Sequence, residues 1–109
     1  MSKRLARETH QIYSGAVRNV AVDFTGLLDD GETLSGTPTV TDDSGEFVLS
    51  NKQVSTTALS IKGRLIATGL AAQFTLDRNG APDGEYEIDI VASTTSGQTL
   101  PVSITVECV

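Results

Sequence analysis

From Asn19 onward, apolar residues fall on every second position in short bursts, separated by turn-forming residues. Val20, Val22 and Phe24 alternate with Asn19, Ala21 and Asp23, the period of a strand with one buried face. GLLDDGETL (26–34) breaks the alternation. Its Asp30-Gly31 pair is a turn signal, because glycine accepts positive φ and aspartate bonds its own backbone. Strands are expected at 37–41 (TPTVT) and 46–50 (EFVLS), with DDSG (42–45) turning the chain between them and Asn51-Lys52 marking a further reversal. Val54, Ala58 and Ile61 fit either one bent strand or two short ones. LIATGLAAQFTLD (65–77) carries a strand ending in Ala72, Phe74 and Leu76, with a short helical turn over 65–73 as the competing reading.

DRNGAPDG (77–84) is the clearest loop. Beyond it Tyr86, Ile88, Ile90 and Ala92 alternate with Glu85, Glu87, Asp89 and Val91. After TTSG (94–97), Val102, Ile104, Val106 and Cys108 alternate with Ser103, Thr105 and Glu107. Residues 84–108 therefore read as a long antiparallel hairpin, with Pro101 at an edge or at a strand's first residue. About seven strands with turns every eight to twelve residues need a second layer to cover their apolar faces. The expected fold is an all-β, immunoglobulin-like antiparallel sandwich, with a small β-barrel as the alternative. Asp83-Gly84-Glu85-Tyr86 favours the immunoglobulin-like class. There, a tyrosine at the start of the penultimate strand anchors the preceding loop through its hydroxyl. Tyr86, Gly84, Asp83 and Gly31 are the expected structural positions.

Residues 1–18 differ in character. Their apolar positions show no sustained period, and they carry Lys3, Arg4, Arg7 and Arg18 against Glu8, a net of +3. The rest holds four cations against thirteen acids, a net of −9. A flexible basic arm (1–18) before an acidic sandwich domain (19–109) is the expected organisation. Lys3, Arg4, Arg7 and Arg18 are its candidate partner contacts. An acidic body is repelled by phosphate, so nucleic acid is not the expected partner. No run reaches the 18 or so apolar residues of a membrane span, and the start lacks a secretory apolar stretch. Cytoplasmic synthesis is the expectation.

The residues for catalysis do not converge. His10 lies in the loose arm with no matching serine or cysteine constellation, so general acid–base work is not expected. One histidine and one cysteine, Cys108, at opposite ends do not make a zinc site, nor can a single cysteine form an intrachain disulfide. Cys108 reads as a small apolar side chain on the last strand. Three acidic clusters (Asp29, Asp30, Glu32; Asp42, Asp43, Glu46; Asp77, Asp83, Glu85 with Asn79) read first as turn caps and second as calcium ligands at a sandwich tip. No enzyme activity, metal or cofactor is expected. Recognition through surfaces and strand edges remains, with a threonine-rich stretch at 53–60 and the arm as candidates.

DFTGLLDDGETLSGTPTVT, GLAAQFTL and DGEYEIDIVASTTSGQTLPVSITVEC, taken in that order, resemble a family of small immunoglobulin-like proteins of tailed bacteriophages and prophages. Their genes lie among those for head and head–tail proteins. The match covers 22–107. Gly31, Glu32, Thr33 and Leu34 fit its early signature; Tyr86, Ser96, Gly97, Thr99 and Leu100 fit its closing one. The resemblance implies a virion structural or accessory protein, in head decoration or at the neck. Its partners would be other virion proteins such as the major capsid or portal proteins, or further copies of itself. The alternative class is an extracellular immunoglobulin-like adhesion or carbohydrate-binding module. That class predicts an exposed aromatic platform, and the chain holds only Tyr13, Tyr86 and three phenylalanines.

Overall fold

In a computed structural model, residues 4–61 and 63–109 are described, with residues 4–8 described by their backbone alone. Nine strands follow in order: β1 (Arg4–Ile12), β2 (Val17–Asp23), β3 (Leu34–Asp42), β4 (Val48–Val54), β5 (Leu59–Ile61), β6 (Arg64–Ile66), β7 (Ala71–Asp77), β8 (Gly84–Thr94) and β9 (Thr99–Cys108). They form a four-stranded sheet in the order β1-β9-β8-β3, a three-stranded sheet in the order β2-β7-β4, and the small hairpin β5-β6. No barrel closes. The two larger sheets pack face to face over Val22, Phe24, Phe74, Leu76, Ile88, Ile90, Ile104 and Val106, all buried.

Seven strands therefore make the sandwich, and their arrangement is immunoglobulin-like. In that fold the second, fourth and fifth strands share one sheet, and the third and the last two share the other. Here β2, β4 and β7 fill the first set, and β3, β8 and β9 the second. The first strand departs from the constant-type pattern by joining β9 instead of β2. The 84–108 hairpin spans the whole register from Gly84 opposite Cys108 to Ser93 opposite Thr99. The 54–64 segment resolves into the end of β4 and the β5 half of a hairpin. The competing helical turn over 65–73 is replaced by β6, a turn and the start of β7.

Three expectations are corrected. The stretch expected to be a loose arm forms β1, which runs parallel to β9, with Arg4 opposite Val102 and Ile12 opposite Cys108. Its register shifts between Leu5 and Thr9. That irregularity breaks the two-residue alternation and hides the strand from a periodicity reading. The sandwich is also not purely antiparallel, because this one pairing is parallel. Asn51-Lys52 is not a reversal but a bulge inside β4. From Ser50 to Gln53 the strand advances three residues while β7 advances two, from Thr75 to Gln73. The extra residue lets Leu49 and Val54, five positions apart, both pack against the core, where an unbroken strand would send them to opposite faces. Asn51 takes up the kink at φ 52°, a conformation asparagine tolerates better than most residues.

Pro101 lies inside β9, one residue before the first that pairs with β1. It is the third residue of β9, opposite Val91 on β8, and not the strand's first. Among the described residues, no helix is long and apolar enough to cross a membrane.

Candidate functional site

Two polar constellations sit at opposite ends of the sandwich. The first joins the β2–β3 loop to the β8–β9 turn. Phe24 is buried, and Thr25–Leu27 form one 3-10 turn after it. Asp29 to Glu32 then make a tight turn closed by Glu32 N–H to the Asp29 carbonyl at 3.0 Å, with Gly31 at φ 76°. This turn carries the Glu32 side chain inward, where it is buried. One carboxylate oxygen accepts the Asp29 N–H at 3.1 Å, and the other accepts the Ser96 hydroxyl. The neighbouring bonds repeat the link. Thr95 N–H donates to the Thr33 carbonyl at 2.9 Å, and the Gln98 amide donates to the Asp29 carboxylate at 3.0 Å. Within the β8–β9 turn, Gln98 N–H donates to Thr94 Oγ1 at 3.0 Å. Leu34 opposite Thr94 then begins the β3–β8 ladder.

Beside this braced tip lies a concavity of about 330 Å³, lined on one side by Thr25, Leu28, Asp29, Asp30, Gly31, Glu32 and Thr33 and on the other by Ala67, Thr68 and Leu70. The two walls touch at Gly69, whose carbonyl accepts Leu34 N–H at 2.8 Å. Its acids make the rim negative, and Leu28 and Leu70 make the wall apolar. Residues 31–34 and 96–100, far apart in sequence, meet at this one end.

The second constellation centres on Arg78, a residue of the 77–84 loop that no sequence pattern marks. Its guanidinium is buried. Nε donates to the Ala81 carbonyl at 2.9 Å, Nη1 to the backbone oxygens of Ile12 at 3.0 Å and Val109 at 2.9 Å, and Nη2 to the Asp83 carboxylate at 2.7 Å. One side chain thus ties the end of β1, the chain beyond β9 and the β7–β8 crossover. The same crossover is held by Tyr86, whose hydroxyl donates to the Pro82 carbonyl at 2.7 Å while its ring meets Phe47 edge-on at 5.0 Å. Burial, and then the neighbouring Cys108 thiol, push the Tyr86 phenol up from its ordinary value. Burial likewise raises the Cys108 thiol, against a smaller opposing pull from Arg78. Cys108 is buried in the core, so it has the inert character of a buried thiol.

The remaining predicted positions are scattered. Arg18 is exposed and donates to the Gln11 carbonyl at 2.8 Å, fastening the end of β1 to β2. Lys3 lies outside the described residues, and Arg4 and Arg7 are placed on β1 by their backbone. His10 is half-buried on β1. The acidic clusters serve the backbone. Asp42 accepts the N–H groups of Ser44 at 3.0 Å and Phe47 at 3.1 Å, and Asp77 accepts Asn79 N–H at 2.9 Å. Among the described residues no group of three potential ligands gathers for a metal ion.

No protein-family model matches this chain, and no curated protein sequence does. Among solved structures, a family 123 glycoside hydrolase from Clostridium perfringens, studied for glycolipid glycan hydrolysis, superposes with a TM-score of 0.48 at 11% identity. The overlap covers 94% of this chain but 23% of that one, so the chain spans about a quarter of the enzyme's length. A likeness of that degree carries no argument about activity.

Proposed function

We propose that this chain is a structural or accessory module of a tailed-phage or prophage particle, working by protein–protein contact at the head or neck. The observation that carries the reading is the Ser96–Glu32 hydrogen bond. It joins the two halves of the sequence signature that resembles the phage proteins, GETL at 31–34 and the S-G-x-T-L turn at 96–100, at one sandwich tip. Loops at the ends of such sandwiches are the usual contact surfaces. Here the loops are cross-braced, so little ordering entropy is lost when a partner docks. The acidic rim and apolar wall of the adjoining concavity suit a basic, partly apolar partner surface. Weak single contacts are sufficient where a symmetric particle repeats them.

Fractionation of purified particles into heads and tails, followed by mass spectrometry, tests the reading. Hundreds of copies on heads support decoration, and about six or twelve support a neck ring. Absence from purified particles overturns the proposal.

A further inference from the structure

The outer face of the three-stranded sheet carries a concavity of about 260 Å³ that none of the contacts above uses. Two rows of side chains cross it. In the first, Asn19 on β2 lies opposite Thr75 on β7, and the β4 bulge brings Asn51 to the same row. The Asn51 amide donates to Thr75 Oγ1 at 3.1 Å, and the Thr75 hydroxyl donates to Asn19 Oδ1 at 3.1 Å. In the second row Ala21 opposes Gln73, which opposes Gln53, and the Gln53 amide donates to Gln73 Oε1 at 3.4 Å. Ala21 is short among long amides, which opens the depression.

From this geometry we infer a binding site for a neutral saccharide. Each side-chain amide offers two N–H donors and a two-lone-pair acceptor, and the internal bonds use only part of that capacity. Donors remain on Asn19 and Gln73, and acceptors remain on Asn51 and Gln53. A sugar hydroxyl both donates and accepts, so vicinal hydroxyls match an array that mixes the two. The polar side chains of the lining are four amides and one hydroxyl, all uncharged, so neither a phosphate nor an amine is selected by charge. Phe74 in the lining is turned to the core, so the Ala21 methyl, and no aromatic platform, meets a ring C–H face, which keeps the binding weak. The volume falls just below the roughly 300–1,000 Å³ of ligand pockets, which suits one or two sugar rings held weakly. Asn51 sits at positive φ on a bulge, a device that commonly re-aims a side chain at a functional surface. The inference does not depend on the particle role, so fractionation and sugar titration can fail separately.

The test is a titration of the full chain, labelled with 15N, with maltotriose, cellotriose, chitotriose and lactose, followed by NMR. At least one sugar is expected to shift the side-chain amide signals of Asn19, Asn51, Gln53 and Gln73, with an apparent Kd of about 1 mM. Gln73→Ala, and Asn51→Gly, which keeps a residue that accepts the positive φ of the bulge, should both keep the spectrum's dispersion and are each expected to weaken binding at least roughly fivefold. The site is refuted when no sugar shifts these signals, when the shifts map to the Glu32–Ser96 tip, or when binding survives both substitutions.

Discussion

The Arg78 guanidinium and the Asp83 carboxylate lie 2.7 Å apart, yet the arginine side chain is 4% exposed and the aspartate 82%. The pair is therefore lopsided. Arg78 brings a charge and a fork of donors inside, and Asp83 meets that charge from the solvent side. Three backbone oxygens, those of Ala81, Ile12 and Val109, complete the arginine's partners. Removing Arg78 strands those acceptors, whereas removing Asp83 leaves most of the network in place.

Arg78→Met is thus expected to destabilise the domain by about 3 kcal/mol, since buried groups lose charge-assisted partners. Asp83→Asn should cost about 1 kcal/mol, as exposed ion pairs do. Chemical denaturation of both variants checks the order. Equal losses would mean that the ion pair, and not the carbonyl cradle, is what matters.

Tyr86→Phe removes the hydroxyl that holds the Pro82 carbonyl and keeps the edge-on contact with Phe47. A lower unfolding midpoint, with a smaller loss than Arg78→Met, is expected. Hydrogen exchange should accelerate in residues 78–83 before it does in the β8–β9 ladder. An unchanged midpoint would show that the ring alone anchors the crossover.

Burial raises the Cys108 thiol above its ordinary 9.0 and the Tyr86 phenol above its ordinary 10.0. The unfolded chain gives up these protons first. Their contribution to stability is therefore complete below pH 9.0 and declines as pH climbs through the folded-state values. Thermal midpoints should fall on the alkaline side, and Cys108→Ala should remove the earlier part of the fall. Native protein should also resist thiol alkylation until it is unfolded.

Gly69 sits at φ 84°, and a Cβ there would come within 3.3 Å of the Thr33 Cβ. Gly69→Ala meets both a left-handed backbone penalty of about 1–2 kcal/mol and that contact. The expected result is a loss of at least about 1.5 kcal/mol, with the largest chemical-shift changes at Thr33, Leu34 and Thr95. A neutral substitution would contradict the close approach of the two walls.

Legibility in the sequence followed the regularity of the backbone. The 84–108 hairpin was readable because its alternation runs unbroken over both strands, and β2 and β7 share that property; β3 was readable only from Thr37 on, its start at Leu34 being hidden by the register shift between Ser35 and Thr39. β1 and the β4 bulge were not readable, since a register shift turns a clean period into an apparent irregularity. The Asp83-Gly84-Glu85-Tyr86 signal pointed to the crossover. Arg78 did not stand out, because its burial depends on Ile12 and Val109 converging from distant parts of the chain. Glu32 stands in sequence as one acid of a cluster with Asp29 and Asp30, and only the fold shows it turned inward to Ser96. The amides of Asn19, Asn51, Gln53 and Gln73 carry no local pattern; strand register alone brings them together.

Glu32→Ala and Ser96→Ala should each loosen the tip by about 1–2 kcal/mol, and the double variant should lose less than their sum, since the two groups share one bond. Additive losses would separate the two loops energetically.

Cryo-microscopy of intact particles from cells that make this protein tests the central claim most directly. Repeated copies of the sandwich are expected, with the Glu32–Ser96 tip seated against a neighbouring structural protein. Particles without the domain, or with that tip facing solvent in every copy, would contradict it.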